Sequence, residues 1–166
     1  MHGADSSMPR SDVCRFARRA SRALRLPPRD LLTTLHAAAV LIAVELLIRW
    51  VPLPRLSRLL GVRINLEPAR ADAVRMRVDE LPARARRQLC YTWKVADAWP
   101  FSRGPCLRRA LVGGHLIRDL HPAVRLGVAG VGDTLMAHAW LEIDDRPLEA
   151  VTDYRLFQRA AIEATG

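Results

Sequence analysis

Lysine is almost absent from this 166-residue chain: Lys94 stands alone among 26 basic residues, and arginine carries nearly all of the +9 net charge. Cysteine is scarce as well. Cys14, Cys90 and Cys106 are odd in number and widely spaced, which does not suggest a disulfide framework, and no C-x-x-C pair offers a structural zinc site. Aromatic residues make up 5% and do not interleave with the arginines as in RNA-binding modules, so no nucleic-acid partner is expected. The polar, basic first thirty residues do not read as a secretory signal, and a reducing cytoplasm is the expected location. A long uncharged hydrophobic run is missing too. Residues 31–50 come nearest, but His36, Glu45 and Arg49 interrupt them and Pro52 and Pro54 stop them. A spanning helix needs about twenty residues nearly free of charge. The expectation is a buried or partner-facing helix and no membrane span. The arginines on both sides leave a peripheral membrane contact open.

What is present divides the chain. Half the residues are apolar, enough for a core. Residues 1–109 hold 21 Arg and Lys against 9 Asp and Glu, and residues 110–166 hold 5 against 8. Residues 1–9 read as a disordered tail, 10–65 as a helical N-terminal region, and 66–166 as the core that carries the chemistry. Within the first of these regions, 10–25 form a basic amphipathic pattern with Phe16, Ala17, Ala20 and Leu24 on one stripe. Pro28 starts a helix to about residue 50, with Asp30 in its first turn, and Gly61 closes a short helix over 54–60. Residues 62–80 give no clear period. From Pro82, Leu81, Ala85, Leu89, Trp93, Ala96 and Trp99 recur at helical spacing. A further helix is expected from Cys106 to about residue 120, weakened at Gly113-Gly114.

The period then falls from 3.6 to 2. Strands are expected over 123–128, 135–143 and 146–151, with turns at 130–132 and Asp144-Asp145. Pro147 is expected to put the last strand at an edge or to make it begin late. Helices first and a small antiparallel sheet afterwards make an α+β chain.

The chemistry-bearing pair is Cys106 and His138. Gly104-Pro105 sets the cysteine at a helix N-terminus, where the dipole and unbonded N–H groups favour the thiolate. His138 lies on a strand rich in Ala, Leu and Trp, as either a satisfied core group or a base held in one orientation. A two-residue turn at 144–145 sets Trp140 opposite Glu149 and His138 opposite Val151. Glu149 is then a diagonal same-face neighbour of His138, Asp153 lies diagonally on the other side, and parity does not choose between them. Glu142 shares the face but lies too far along the strand. His115 and His121 match no compact metal-ligand spacing with Cys106, so neither a metal nor a cofactor is expected.

Three segments, Cys106-Leu107-Arg108-Arg109-Ala110-Leu111, Val124-Arg125-Leu126-Gly127-Val128 and Ala137-His138-Ala139-Trp140-Leu141-Glu142-Ile143-Asp144, resemble the lasso-peptide biosynthesis B proteins. Leu46-Leu47-Ile48-Arg49-Trp50-Val51-Pro52 and Leu56-Ser57-Arg58-Leu59-Leu60-Gly61 are similar to that family's apolar helix and Arg-Leu-rich turn. The resemblance covers roughly residues 28–157. It implies a transglutaminase/papain-like core whose nucleophile helix packs on a small antiparallel sheet. It also implies a cysteine peptidase that removes the leader from a lasso precursor peptide. Cys106 takes the place of the nucleophile and His138 that of the base. The family's acid falls some eleven or twelve residues after the histidine; position 150 is Ala here, so Glu149 is the nearest match and Asp153 the alternative. The absence of a strand triplet in residues 1–65 implies the stand-alone form, served by a separate leader-recognition protein and followed by a lasso cyclase. Acyl transfer at the same site, and a non-catalytic peptide- or RNA-binding module, are the competing expectations.

Overall fold

The computed structural model describes residues 26–66, 74–99, 106–131, 134–149 and 155–156. The tail 1–9, the amphipathic segment 10–25, Gly104-Pro105, Gly132 of the expected 130–132 turn and Asp153 lie outside these, while residues 130 and 131 belong to a strand.

Proline sets the helix starts. Helix α1, Pro28–Leu47, has Pro28 at its first position and Asp30 in its first turn, and a turn ahead of Pro52 ends it. Helix α2, Leu53–Leu59, follows Pro52. It closes in a Schellman motif at Gly61 (φ +67°), where the Val62 N–H donates to the Ser57 carbonyl and the Gly61 N–H to that of Arg58. Helix α3, Ala83–Ala98, begins after Pro82 and buries Ala85, Leu89, Thr92 and Ala96 on one stripe. Helix α4, Cys106–Leu116, is shorter than expected. A 3-10 turn over Arg118–Leu120 follows it, and His121 in the left-handed region stops it.

The strands are β1 (Arg63–Asn65), β2 (Ala123–Val131), β3 (Thr134–Ile143), β4 (Arg146–Pro147) and β5 (Arg155–Leu156). Their order is β1-β2-β3-β4, with β5 beside β2. The sheet is mixed rather than antiparallel, because β1 runs parallel to β2, Arg63 opposite Ala123. The expected 146–151 strand is also shorter. Asp144 and Asp145 both take positive φ and turn the chain as anticipated, and Ile143 pairs with Arg146. Pro147 has no N–H for the ladder, and after one further bond, from the Leu148 N–H to the Leu141 carbonyl, the chain bends away.

Helix α1 packs on α3 and α4, and α4 packs on β3. Leu41 and Val44 of α1, Leu56, Leu89, Leu111, Val124, Leu141 and Leu148 belong to one hydrophobic cluster. The glycines expected to weaken α4 are what bring it close. A Cβ on Gly113 would stand 3.1 Å from Leu141 Cδ1, and one on Gly114 would stand 2.9 Å from Val62 Cγ1. By length and composition α1 is apolar enough to cross a membrane, with a mean hydropathy of 1.7. Here, however, it docks on α3 and α4, and Glu45 near its end accepts hydrogen bonds from Arg108 of α4.

Candidate active site

Cys106 is the first residue of α4, partly buried against the core, with a free thiol. Its N–H is among the first-turn donors that no helical carbonyl satisfies. His138 stands on β3 opposite Gly127 of β2, with its side chain 22% exposed. Its Nε2 is 3.6 Å from Glu149 Oε2. That is an ion-pair contact rather than a closed hydrogen bond. Sites of this kind often tighten only with substrate bound.

Glu149 follows β4 rather than belonging to it, so other contacts fix its place. The Met76 N–H donates to the Pro147 carbonyl, and Arg75 Nε donates to that of Leu148. Arg146 meets Glu80 through both terminal nitrogens, at 2.9 and 3.1 Å. Residues 75–80 thus clamp the chain just before Glu149.

The other carboxylate oxygen, Oε1, lies 3.7 Å from Arg109 Nη2. Arg109 is three residues beyond Cys106, on the same side of α4. Its guanidinium also sits 4.9 Å from the Trp93 ring centre and 3.8 Å from Asp97. One carboxylate therefore bridges the His138 imidazole and a cation on α4, the helix that Cys106 opens.

Behind His138 the sheet is sealed. Its ring stacks on Trp140, with centroids 6.0 Å apart and planes at 19°. The Trp140 N–H donates to Glu142 Oε1 at 3.0 Å, and the other Glu142 oxygen accepts from Arg125 Nε. The Arg125 and Glu142 side chains are 3% and 4% exposed. A charge pair this deep is costly unless its members satisfy one another. It fixes the plane of the indole and, through it, the wall beside His138.

His138 and Glu149 are thus in contact, and Cys106 and His138 stand on adjoining elements. Sequence reasoning missed Arg109 and the Arg125–Glu142–Trp140 cluster. Each left a trace: Arg109 falls one turn after the cysteine, and Arg125 is a lone charge between apolar strand neighbours. His115 lies elsewhere, its Nδ1 2.8 Å from the Leu60 carbonyl and its ring edge-on to His36.

A family model described as the transglutaminase-like superfamily matches residues 38–161. The chain belongs to that superfamily, whose members are generally catalytic, as cysteine peptidases or acyl transferases. The α+β arrangement is consistent with such a core. No curated protein and no solved structure gives a significant match.

Proposed function

We propose that this transglutaminase-like chain is a cysteine endopeptidase that cleaves the leader from a lasso precursor peptide. The observation that carries the reading is the bridged carboxylate: Glu149 at His138, on a strand packed against the helix that Cys106 opens. With Nε2 of His138 on the Glu149 side, the thiol proton passes to Nδ1. The thiolate attacks the carbonyl joining leader to core peptide, and the Cys106 N–H donates to the resulting oxyanion. The C–N bond breaks, and the core-peptide amine leaves with the proton from His138. Water then hydrolyses the thioester and frees the leader carboxylate and the thiol. No cofactor enters these steps.

The described part of residues 10–65 consists of α1, α2 and the short β1, which joins the sheet. We assign leader recognition to a separate protein, ring closure to a cyclase and location to the cytoplasm. The test is incubation with a precursor peptide and its recognition protein. Cleavage with the mass of one added water, lost in Cys106→Ala and kept in Cys14→Ala and Cys90→Ala, is the expected result. A product carrying an amine acceptor would make the enzyme an acyl transferase. Undiminished cleavage by Cys106→Ala would overturn the assignment.

A further inference from the structure

Helix α1 is apolar on two opposite sides. Ala37, Leu41 and Val44 enter the core. Leu32, Leu35, Ile42, Leu46 and Leu47, with Trp50 just beyond the helix end, are exposed on the other side, from 37% (Leu47) to 86% (Trp50). Exposed Ala39 and Ala43 fill the gaps between them. An apolar stripe of this length on one helix is not needed for the fold, which is already buried on the reverse side.

The charge around the stripe is of one sign. Arg29 stands at its start and Arg49 at its end. Beyond Trp50 a shallow cleft lined by Val51, Pro52, Arg55, Arg58 and Leu59 carries the surface onto α2. Arg29, Arg55 and Arg58 form no ion pair among the described residues. The acids of α1 are engaged: Glu45 with Arg108 and Arg49, and Asp30 with Arg87.

We infer that this face of α1, with Trp50 and the α2 arginines, lies on an anionic phospholipid surface and holds the protein peripherally to a membrane. An apolar helix side sunk at the headgroup boundary, a tryptophan at its end and arginines at headgroup level match that environment. A second copy of the chain fits less well. Two such stripes face to face would set Arg29, Arg49, Arg55 and Arg58 against their own kind, with no free acid on α1 to meet them. The helix does not cross the bilayer, because its other side is part of the core.

The inference is independent of the peptidase reading. It is tested with the full chain by sedimentation with vesicles of phosphatidylcholine, alone or mixed with phosphatidylglycerol. Binding is expected on the mixed vesicles and should fall as salt rises. Ile42→Glu with Leu46→Glu should weaken it more than tenfold, since both apolar side chains are lost from the contact. Arg55→Ser with Arg58→Ser should weaken it about fivefold per arginine. Both pairs are exposed, and unchanged thermal melting confirms that the variants fold. Failure to bind mixed vesicles, equal binding to phosphatidylcholine alone, or undiminished binding by the Ile42/Leu46 variant would each overturn the proposal. So would a dimer in lipid-free solution that the same variant dissolves.

Discussion

The two ends of one face of β3 carry the same kind of contact in opposite surroundings. At the inner end Arg125 and Glu142 are 3% and 4% exposed, and Trp140 completes the set. At the outer end His138 and Glu149 are 22% and 27% exposed and 3.6 Å apart. A sealed pair with every contact filled has no room for a substrate and serves position. A half-open pair with a looser contact can take and return a proton. The difference is one of burial rather than residue type, and Trp140 joins the two by touching both.

The largest effect should come from breaking the sealed end. Arg125→Met leaves Glu142 buried without its cation and should destabilise the protein by about 3–5 kcal/mol. Denaturant unfolding reads this as a lower midpoint. Adding Glu142→Leu should restore much of the loss. A midpoint unchanged by Arg125→Met would erase the contrast between the two ends.

Next is the open end. Glu149→Gln keeps the shape and removes the charge that faces both His138 and Arg109. Once tightened into a hydrogen bond with substrate bound, a contact of this kind to a charged group is worth about 1.5–3 kcal/mol. Turnover of a precursor peptide should therefore fall roughly tenfold to a hundredfold, with unfolding little changed. Asp153→Asn should leave turnover nearly intact. The reverse outcome would transfer the orienting role to Asp153.

The smallest effect concerns a histidine outside this face. Burial, followed by the charges of His115 and Arg118, holds His36 below its usual value of 6.5. The folded state then binds this proton less readily than the unfolded chain. The contribution is complete above pH 6.5 and is lost as pH falls through the lowered folded value. His36→Gln should flatten the melting temperature against pH below 6.5, and an unaltered slope would place that dependence elsewhere.

Much of this was legible in the sequence because backbone chemistry marked it. Pro28 and Pro82 announce helix starts, Gly61 a helix end, and Asp144-Asp145 a hairpin that brings the chain back toward His138. What escaped notice depends on tertiary neighbours. Three residues of β1 have no period of their own and become a strand only beside β2. The Arg125–Glu142 pair requires the β2–β3 register, which no residue between the strands fixes. Gly113-Gly114 reads as a weak helix until Leu141 and Val62 are seen to need the space. The bend after Pro147 shortened β4, yet Glu149 still reaches His138 because residues 75–80 clamp the segment before it.

We propose that Cys106 is an activated thiol served by His138. Alkylation of the native protein at neutral pH, followed by mass mapping of each cysteine, tests it most directly. Cys90 is exposed and Cys106 only partly so, so accessibility alone makes Cys90 the faster to react. An activated Cys106 reverses that order: Cys106 is modified first, with parallel loss of peptide cleavage, and this advantage is gone in His138→Ala. Modification of Cys90 ahead of Cys106, or a Cys106 rate indifferent to His138, would contradict it.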